Sequence, residues 1–229
     1  MIWTNPATMA LNEISRAPIV RFSVLALGSI FFLSNPFAAI PSFLAITEHV
    51  DATRRKRMAR KAALTSFIVL TSFALGGQMI FRLVGITLPA FEVAGGLILL
   101  LIGLDMLQAK RSATQETTSD TEEASHKEDA GIVPLGIPML AGPGVISSVM
   151  VLVGQVPSLW HWQMWAILGS ITLTALSSYW ILAGAVRLRA MMGETGIRVL
   201  VRIMGMLLVA LAMQFFVNGL TDLGLIARP

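Results

Sequence analysis

Two proline-bearing runs carry the chemistry of this chain: Phe31-Phe32-Leu33-Ser34-Asn35-Pro36-Phe37-Ala38-Ala39-Ile40-Pro41, and Ile137-Pro138-Met139-Leu140-Ala141-Gly142-Pro143-Gly144 about 107 residues later. Each lies inside an apolar stretch long enough to cross a bilayer. Pro36 and Pro41 cannot donate, so they free the carbonyls of Phe32 and Phe37; Pro138 and Pro143 do the same for Pro134 and Met139. Proline is favoured at the first position of a helix, with Asn or Gly as a cap before it, so Asn35-Pro36 and Gly142-Pro143 read as the starts of two half-helices. The N–H groups and positive dipole end at each start can receive a carboxylate, and the freed carbonyls can receive an ammonium group or a cation. A small zwitterion satisfies both. Ser34, Asn35, Pro36, Phe37, Pro41, Gly142, Pro143, Gly144, Ser147 and Ser148 are the candidate substrate-binding residues. The competing reading is that the prolines only kink helices for packing.

The elements that must position these residues are membrane helices. The chain is 55% hydrophobic and 13% charged, and its charges fall in short clusters between apolar runs of spanning length. Mean hydropathy is +0.74. The pattern predicts an all-α membrane protein with six transmembrane helices over residues 19–47, 62–81, 88–107, 132–153, 164–186 and 199–220, the first broken at Asn-Pro and the fourth at Gly-Pro. Fourteen residues from the start of the first helix reach Leu33 after roughly 21 Å, a little past the middle of a ~30 Å core. Lipid offers no hydrogen bonds, so a break at that depth must be satisfied by protein, water or a ligand.

The stretch 112–129 is rich in Ser, Thr and Glu and almost free of large apolar side chains, which makes 108–131 a flexible polar linker. It divides a first repeat, 1–107 with helices 1–3, from a second, 132–229 with helices 4–6. Leu33 and Pro36 recur as Leu140 and Pro143, Gly85-Ile86 as Gly196-Ile197, and Gly95, Leu97 and Leu101 as Gly205, Leu207 and Leu211, with an offset that drifts only from 107 to 111. Three helices per half make the second half enter from the opposite side, so the reading is a 3+3 inverted repeat.

Counting Lys and Arg on alternate loops puts 13 on one side and 4 on the other. The richer side, with Arg54, Arg55, Lys56, Arg57, Arg60 and Lys61 in the first loop, is predicted cytoplasmic, and both termini are predicted outside. The basic pI of about 10.1 is explained by topology and not by nucleic acid. The residues after the first apolar run continue as membrane segment, without the small-residue site of a cleaved signal. Trp160, Trp162 and Trp165 are placed at the outer interface as an aromatic belt.

Other chemistries lack their residues. The chain has no cysteine, and His49, His126 and His161 fall in predicted loops without metal-ligand spacing, so neither a metal site nor a cofactor is expected. An intramembrane enzyme would need a nucleophile with its base, or metal ligands, at membrane depth, and no catalytic set is found. Glu92, Asp105 and Arg202 are candidates for gating or for coupling to H+ or Na+, set against a purely structural pairing of Asp105 with Arg202 and of Glu92 with Arg82. Gln78, Gln214 and Asn218 are expected to bond between helices, and Gly76, Gly77, Gly95, Gly96 and Gly205 to let helices approach closely.

Four segments resemble the MarC family of bacterial and archaeal inner-membrane proteins: Asn35-Pro36-Phe37-Ala38-Ala39-Ile40-Pro41-Ser42-Phe43, Ala94-Gly95-Gly96-Leu97-Ile98-Leu99-Leu100, Ala141-Gly142-Pro143-Gly144, and Arg202-Ile203-Met204-Gly205-Met206-Leu207-Leu208. The resemblance implies a multi-pass protein of the bacterial inner membrane, and a transporter of small neutral amino acids of the glycine and alanine type. Phe37-Ala38-Ala39 departs from that family's usual Asn-Pro-x-Gly followed by a small residue. A small-molecule substrate and the lipid bilayer are the expected partners, with a homo-oligomer left open. The alternatives are a channel or exporter of other small solutes, or a non-transporting structural membrane protein.

Overall fold

A computed structural model describes residues 18–48, 50–108, 135–158 and 160–226. The described residues are all-helical, without a strand: α1 Pro18–Ser34, α2 Ala39–Ile46, α3 Ala52–Val84, α4 Leu88–Leu107, a single wide turn Leu135–Leu140, α5 Pro143–Gly154, α6 Trp162–Ala183 and α7 Ala185–Asp222. Four of these helices are long and apolar enough to span a bilayer, and α1 with α2, bent by 45°, makes a fifth such unit. Helix α5 is apolar but too short to cross alone. The predicted fourth span begins at residue 132, outside the described residues, where the linker from residue 109 onward, His49 and His126 also lie.

Local signals fix several ends. Helix α4 has the predicted bounds: the Thr87 side chain accepts the Ala90 N–H at 3.4 Å, and a proline sits in the first turn. Helix α3 instead starts ten residues before the apolar window. Asp51 caps it by accepting the Arg54 N–H at 3.3 Å, so the first basic cluster is helical and not loop. A helix satisfies its own backbone in water and lipid alike, so hydropathy marks the buried window and not the helix end. The same reason extends α7 back to Ala185 through Arg187, Arg189 and Arg198. It is interrupted only at Gly193, whose φ of 66° and ψ of 176° suit glycine alone.

Short α2 ends under a cationic cap. The Arg55 guanidinium, carried on α3, donates to the Thr47 carbonyl at 3.0 Å and the Val50 carbonyl at 3.1 Å. A cation at a helix C-terminus answers both the unpaired carbonyls and the negative dipole end.

The tightest seam joins α4 to antiparallel α7. A Cβ at Gly205 would lie 3.1 Å from the Gly103 carbonyl and 3.3 Å from the Leu107 nitrogen, and one at Gly96 would lie 3.0 Å from the Ala212 carbonyl. Lipid supplies no hydrophobic force between helices, so such backbone approach, permitted by small residues, is what joins them. Helix α6 packs on α1 and α3, while α5 packs on α1, α3 and α4. Two clusters fill the interior. One centres on Ile30, Leu99, Val145 and Ile167, the other on Ile40, Phe43, Leu135 and Leu182. Large apolar side chains such as Val24, Met79, Leu83 and Leu97 face outward, as a lipid surface requires. Trp160 and Trp165 are exposed, and Trp162 meets Phe22 edge-on at 5.5 Å, which brings the starts of α1 and α6 to the same end. Gln214 and Asn218 depart from expectation. They bond to each other at 2.8 Å along the exposed face of α7 instead of between helices, because i and i+4 share one face.

Candidate site between the helix breaks

Helix α1 stops because Asn35 turns left-handed. Its N–H makes a last helical bond to the Phe31 carbonyl at 3.0 Å, and its φ of 42° then redirects the chain. Asparagine tolerates this conformation, and the following Pro36 disfavours the right-handed one. The Asn35 side chain and backbone carbonyls both accept from the Ala38 N–H, at 3.4 and 3.0 Å. Residues 36–38 thus form a capped turn, and regular α2 begins at Ala39 and not at Pro36. The Phe37 carbonyl that Pro41 was expected to free is taken by the Ile40 N–H at 3.2 Å.

The second break is built differently. Ile137 is extended (φ −133°, ψ 127°), as the residue before a proline tends to be. The Ala141 N–H reaches back five residues to the Gly136 carbonyl at 3.1 Å. Gly142, also extended, is the N-cap of α5, and Pro143 occupies the first helical position, where its missing N–H costs nothing.

The breaks meet. The Ser34 hydroxyl donates to the Leu140 carbonyl at 3.0 Å, in a bond that is buried and spans 106 residues of sequence. The freed carbonyl bridged in this way is that of Leu140, one residue past Met139. Beside the Ser34 end of this bond lies a small cavity lined by Leu33, Ser34, Asn35, Ala38 and Ala39 from the first break and by Met139, Gly142, Pro143, Gly144 and Val145 from the second. Ile98, Leu99, Ile102 and Met106 of α4 and Leu208 of α7 complete its wall. Its volume is about 20 Å³, room for a single water molecule. The amide of Asn35 points to the Met106 sulfur at 3.9 Å, a weak acceptor.

Five of the ten proposed binding residues line this cavity: Ser34, Asn35, Gly142, Pro143 and Gly144. Pro36 does not. Phe37 turns toward the second apolar cluster and stacks edge-on with Phe31 at 6.2 Å. Pro41 lines a separate groove of about 400 Å³ with Leu44, Glu48, Arg189, Glu194 and Arg198. Within that groove Glu194 pairs with Arg189 at 2.6 Å and with Arg198 at 3.5 Å. Ser147 and Ser148 are buried on α5, and the Ser147 hydroxyl has no hydrogen-bond partner among the described residues. Asp105 is half-buried and Arg202 exposed. Glu92 is only 5% exposed, and its Oε2 has no hydrogen-bond partner among the described residues.

On α4 the sequence points to Glu92 for coupling and Gly95 for packing but not to the cavity wall at Leu99, Ile102 and Met106, although its signal is there. Glu92, Gly95, Leu99, Ile102 and Met106 recur at three- and four-residue spacing, and all are buried.

Residues 20–223 match the family described as MarC family integral membrane protein. The chain belongs to the MarC family. It is 35% identical to a UPF0056 membrane protein of Methanocaldococcus jannaschii over 88% of its own length and 97% of the relative's. It is 36% identical to the UPF0056 membrane protein YvbG of Bacillus subtilis, covering 87% of this chain and 94% of that one. It is 31% identical to the UPF0056 inner membrane protein MarC of Citrobacter koseri, over 88% and 96%. No solved structure matches. The MarC family match spans both helix breaks and the α4–α7 seam, so the one-water cavity lies within the part of the chain that its relatives share.

Proposed function

We propose that this MarC family protein is a secondary transporter of small neutral amino acids, glycine or alanine in type, held where the two helix breaks face each other. The observation that carries the reading is the buried Ser34–Leu140 bond beside the α5 start. The first-turn N–H groups of α5 suit a carboxylate, and the Leu140 carbonyl, once Ser34 lets go, suits an ammonium group. An amino acid is several times larger than one water, so the structure corresponds to a closed form, and binding separates the breaks.

Pairing across the breaks supports the inverted repeat. Near a two-fold axis the chain meets the equivalent of a close neighbour, and contacts fall evenly about equivalent midpoints: Ser34 meets Leu140, the counterpart of Leu33, and in the α4–α7 seam the Gly103–Gly205 and Gly96–Ala212 contacts flank Leu99 and its counterpart Val209. The groove shared by Glu48, Arg189 and Arg198 brings the first and fifth loops to one end. That supports a cytoplasmic placement of both basic clusters in a bacterial inner membrane, with the termini outside. No enzymatic step is assigned.

Counterflow in proteoliposomes tests the reading: a carrier exchanges labelled glycine or alanine for unlabelled, whereas a channel or a structural protein does not. Ala38→Leu overfills the cavity from its wall and should cut exchange at least tenfold per folded molecule. Normal exchange by this variant would place the substrate elsewhere and leave the breaks as packing kinks.

A further inference from the structure

Glu92 occupies a wedge between three helices. On α4, Leu88, Gly95 and Leu99 touch α5, opposite Gly154, Ser147 and Gly144 in turn, whereas Pro89, Val93 and Gly96 touch α7 at Gly219 and Ala212. At 100° per residue, position 92 falls between these two faces. Its side chain is therefore enclosed by α5 on one side and α7 on the other, consistent with its 5% exposure.

The charges that could answer it are few. Helix α5 carries no titratable residue along its length. Helix α7 contributes Asp222, which acts on Glu92 electrostatically with the same sign of charge. From α3, Phe81 stacks on Phe91 at 4.8 Å, but the next residue, Arg82, is exposed at the helix end. Burying a carboxylate without a counter-charge is far costlier than burying the neutral acid, so the closed wedge calls for a bound cation. Sodium would need several converging oxygens, and the wedge presents one bare carboxyl oxygen. A proton needs only that oxygen. The Ser147 hydroxyl, also bare, stands level with Gly95 on the α5 wall, between Glu92 and the cavity.

We propose that Glu92 is the proton-binding residue of this protein, taking up and releasing one proton as the wedge between α4, α5 and α7 closes and opens, and so coupling substrate movement to a proton gradient. The inference rests on the transport reading. The step balances simply: a proton from water on one side bonds to Oε2 and converts carboxylate to acid, and the same bond breaks to water on the other side. Helix α5 links the events, because it forms both a wall of the wedge and, at its start, a wall of the cavity.

Two measurements on the purified full-length protein test this. Infrared difference spectra across a pH titration in lipid nanodiscs should show a carboxylic-acid C=O band that is absent from Glu92→Gln and retained in Asp222→Asn. In proteoliposomes, glycine accumulation driven by a pH gradient should fall more than tenfold in Glu92→Gln, while glycine–glycine exchange stays within about twofold of wild type. Loss of no band in Glu92→Gln overturns the proposal, as does gradient-driven accumulation persisting in that variant. A wild-type protein that moves no glycine refutes the transport reading and the coupling with it, while the infrared band still decides whether Glu92 carries a proton. Matched thermal midpoints of wild type and Glu92→Gln exclude misfolding as the cause.

Discussion

Ser34→Ala separates a latch from a ligand contact. The hydroxyl is buried and donates to the Leu140 carbonyl at 3.0 Å, so the variant loses one buried side-chain hydrogen bond and leaves that carbonyl bare. Interhelical hydrogen bonds in membranes average about 0.6 kcal/mol and reach about 1.7 kcal/mol, less than burial in apolar surroundings alone would suggest. If the bond exists only with the breaks together, its loss destabilises the closed form by that amount and moves population toward the open form by about 3- to 18-fold. While the closed form dominates, the apparent affinity for glycine rises by the same factor, because less free energy goes into opening. The expected pair of results is a lower thermal midpoint without ligand and a lower half-saturating glycine concentration in counterflow. A lower midpoint with weaker glycine binding would refute the latch and make Ser34 a substrate contact. No change in either would mean that the bond contributes nothing to holding the breaks together.

Two further outcomes test the frame around the site. Gly205→Ala should lower the thermal midpoint by the equivalent of about 1–3 kcal/mol, because the new Cβ meets the Gly103 carbonyl and the Leu107 nitrogen, backbone atoms that cannot turn aside; an unchanged midpoint would show that α4 and α7 separate freely. A topology reporter placed in the 112–129 stretch should read cytoplasmic and one fused after Pro229 should read outside, by the 13 to 4 charge bias; a cytoplasmic C-terminus would overturn the inverted repeat.

The all-helical membrane character and the family were legible in composition and in four short segments, because each depends on local residue order. The ends of α4 were legible too, since Thr87 and the proline after it are start signals in themselves. The start of α3 was not. Its first three turns are polar, and only the Asp51 cap distinguishes them from a loop. At the first break, Asn35-Pro36 announces an interruption, but whether Asn35 begins the next helix or turns left-handed to end the last one depends on packing that places Ser34 against Leu140. Glu92 shows the same limit. Near the predicted outer face it invites pairing with Arg82, and its enclosure follows only from the convergence of α5 and α7 on α4, which no local pattern encodes.

The guanidinium that closes the end of α2 also settles how force can pass through the chain. Because Arg55 grips the Thr47 and Val50 carbonyls from α3, helices α2 and α3 are fastened like a crank to its shaft. A push on the long arm, α3, is delivered to the short arm, α2, with little slack. The joint on the other side of α2 is the turn at Asn35 to Ala38, where the Asn35 and Ala38 amides are tied back and Pro36 has no N–H to give. Any motion that swings α2 must therefore be taken up at that turn, which gives the mechanical pivot and the cavity wall two residues in common, Asn35 and Ala38.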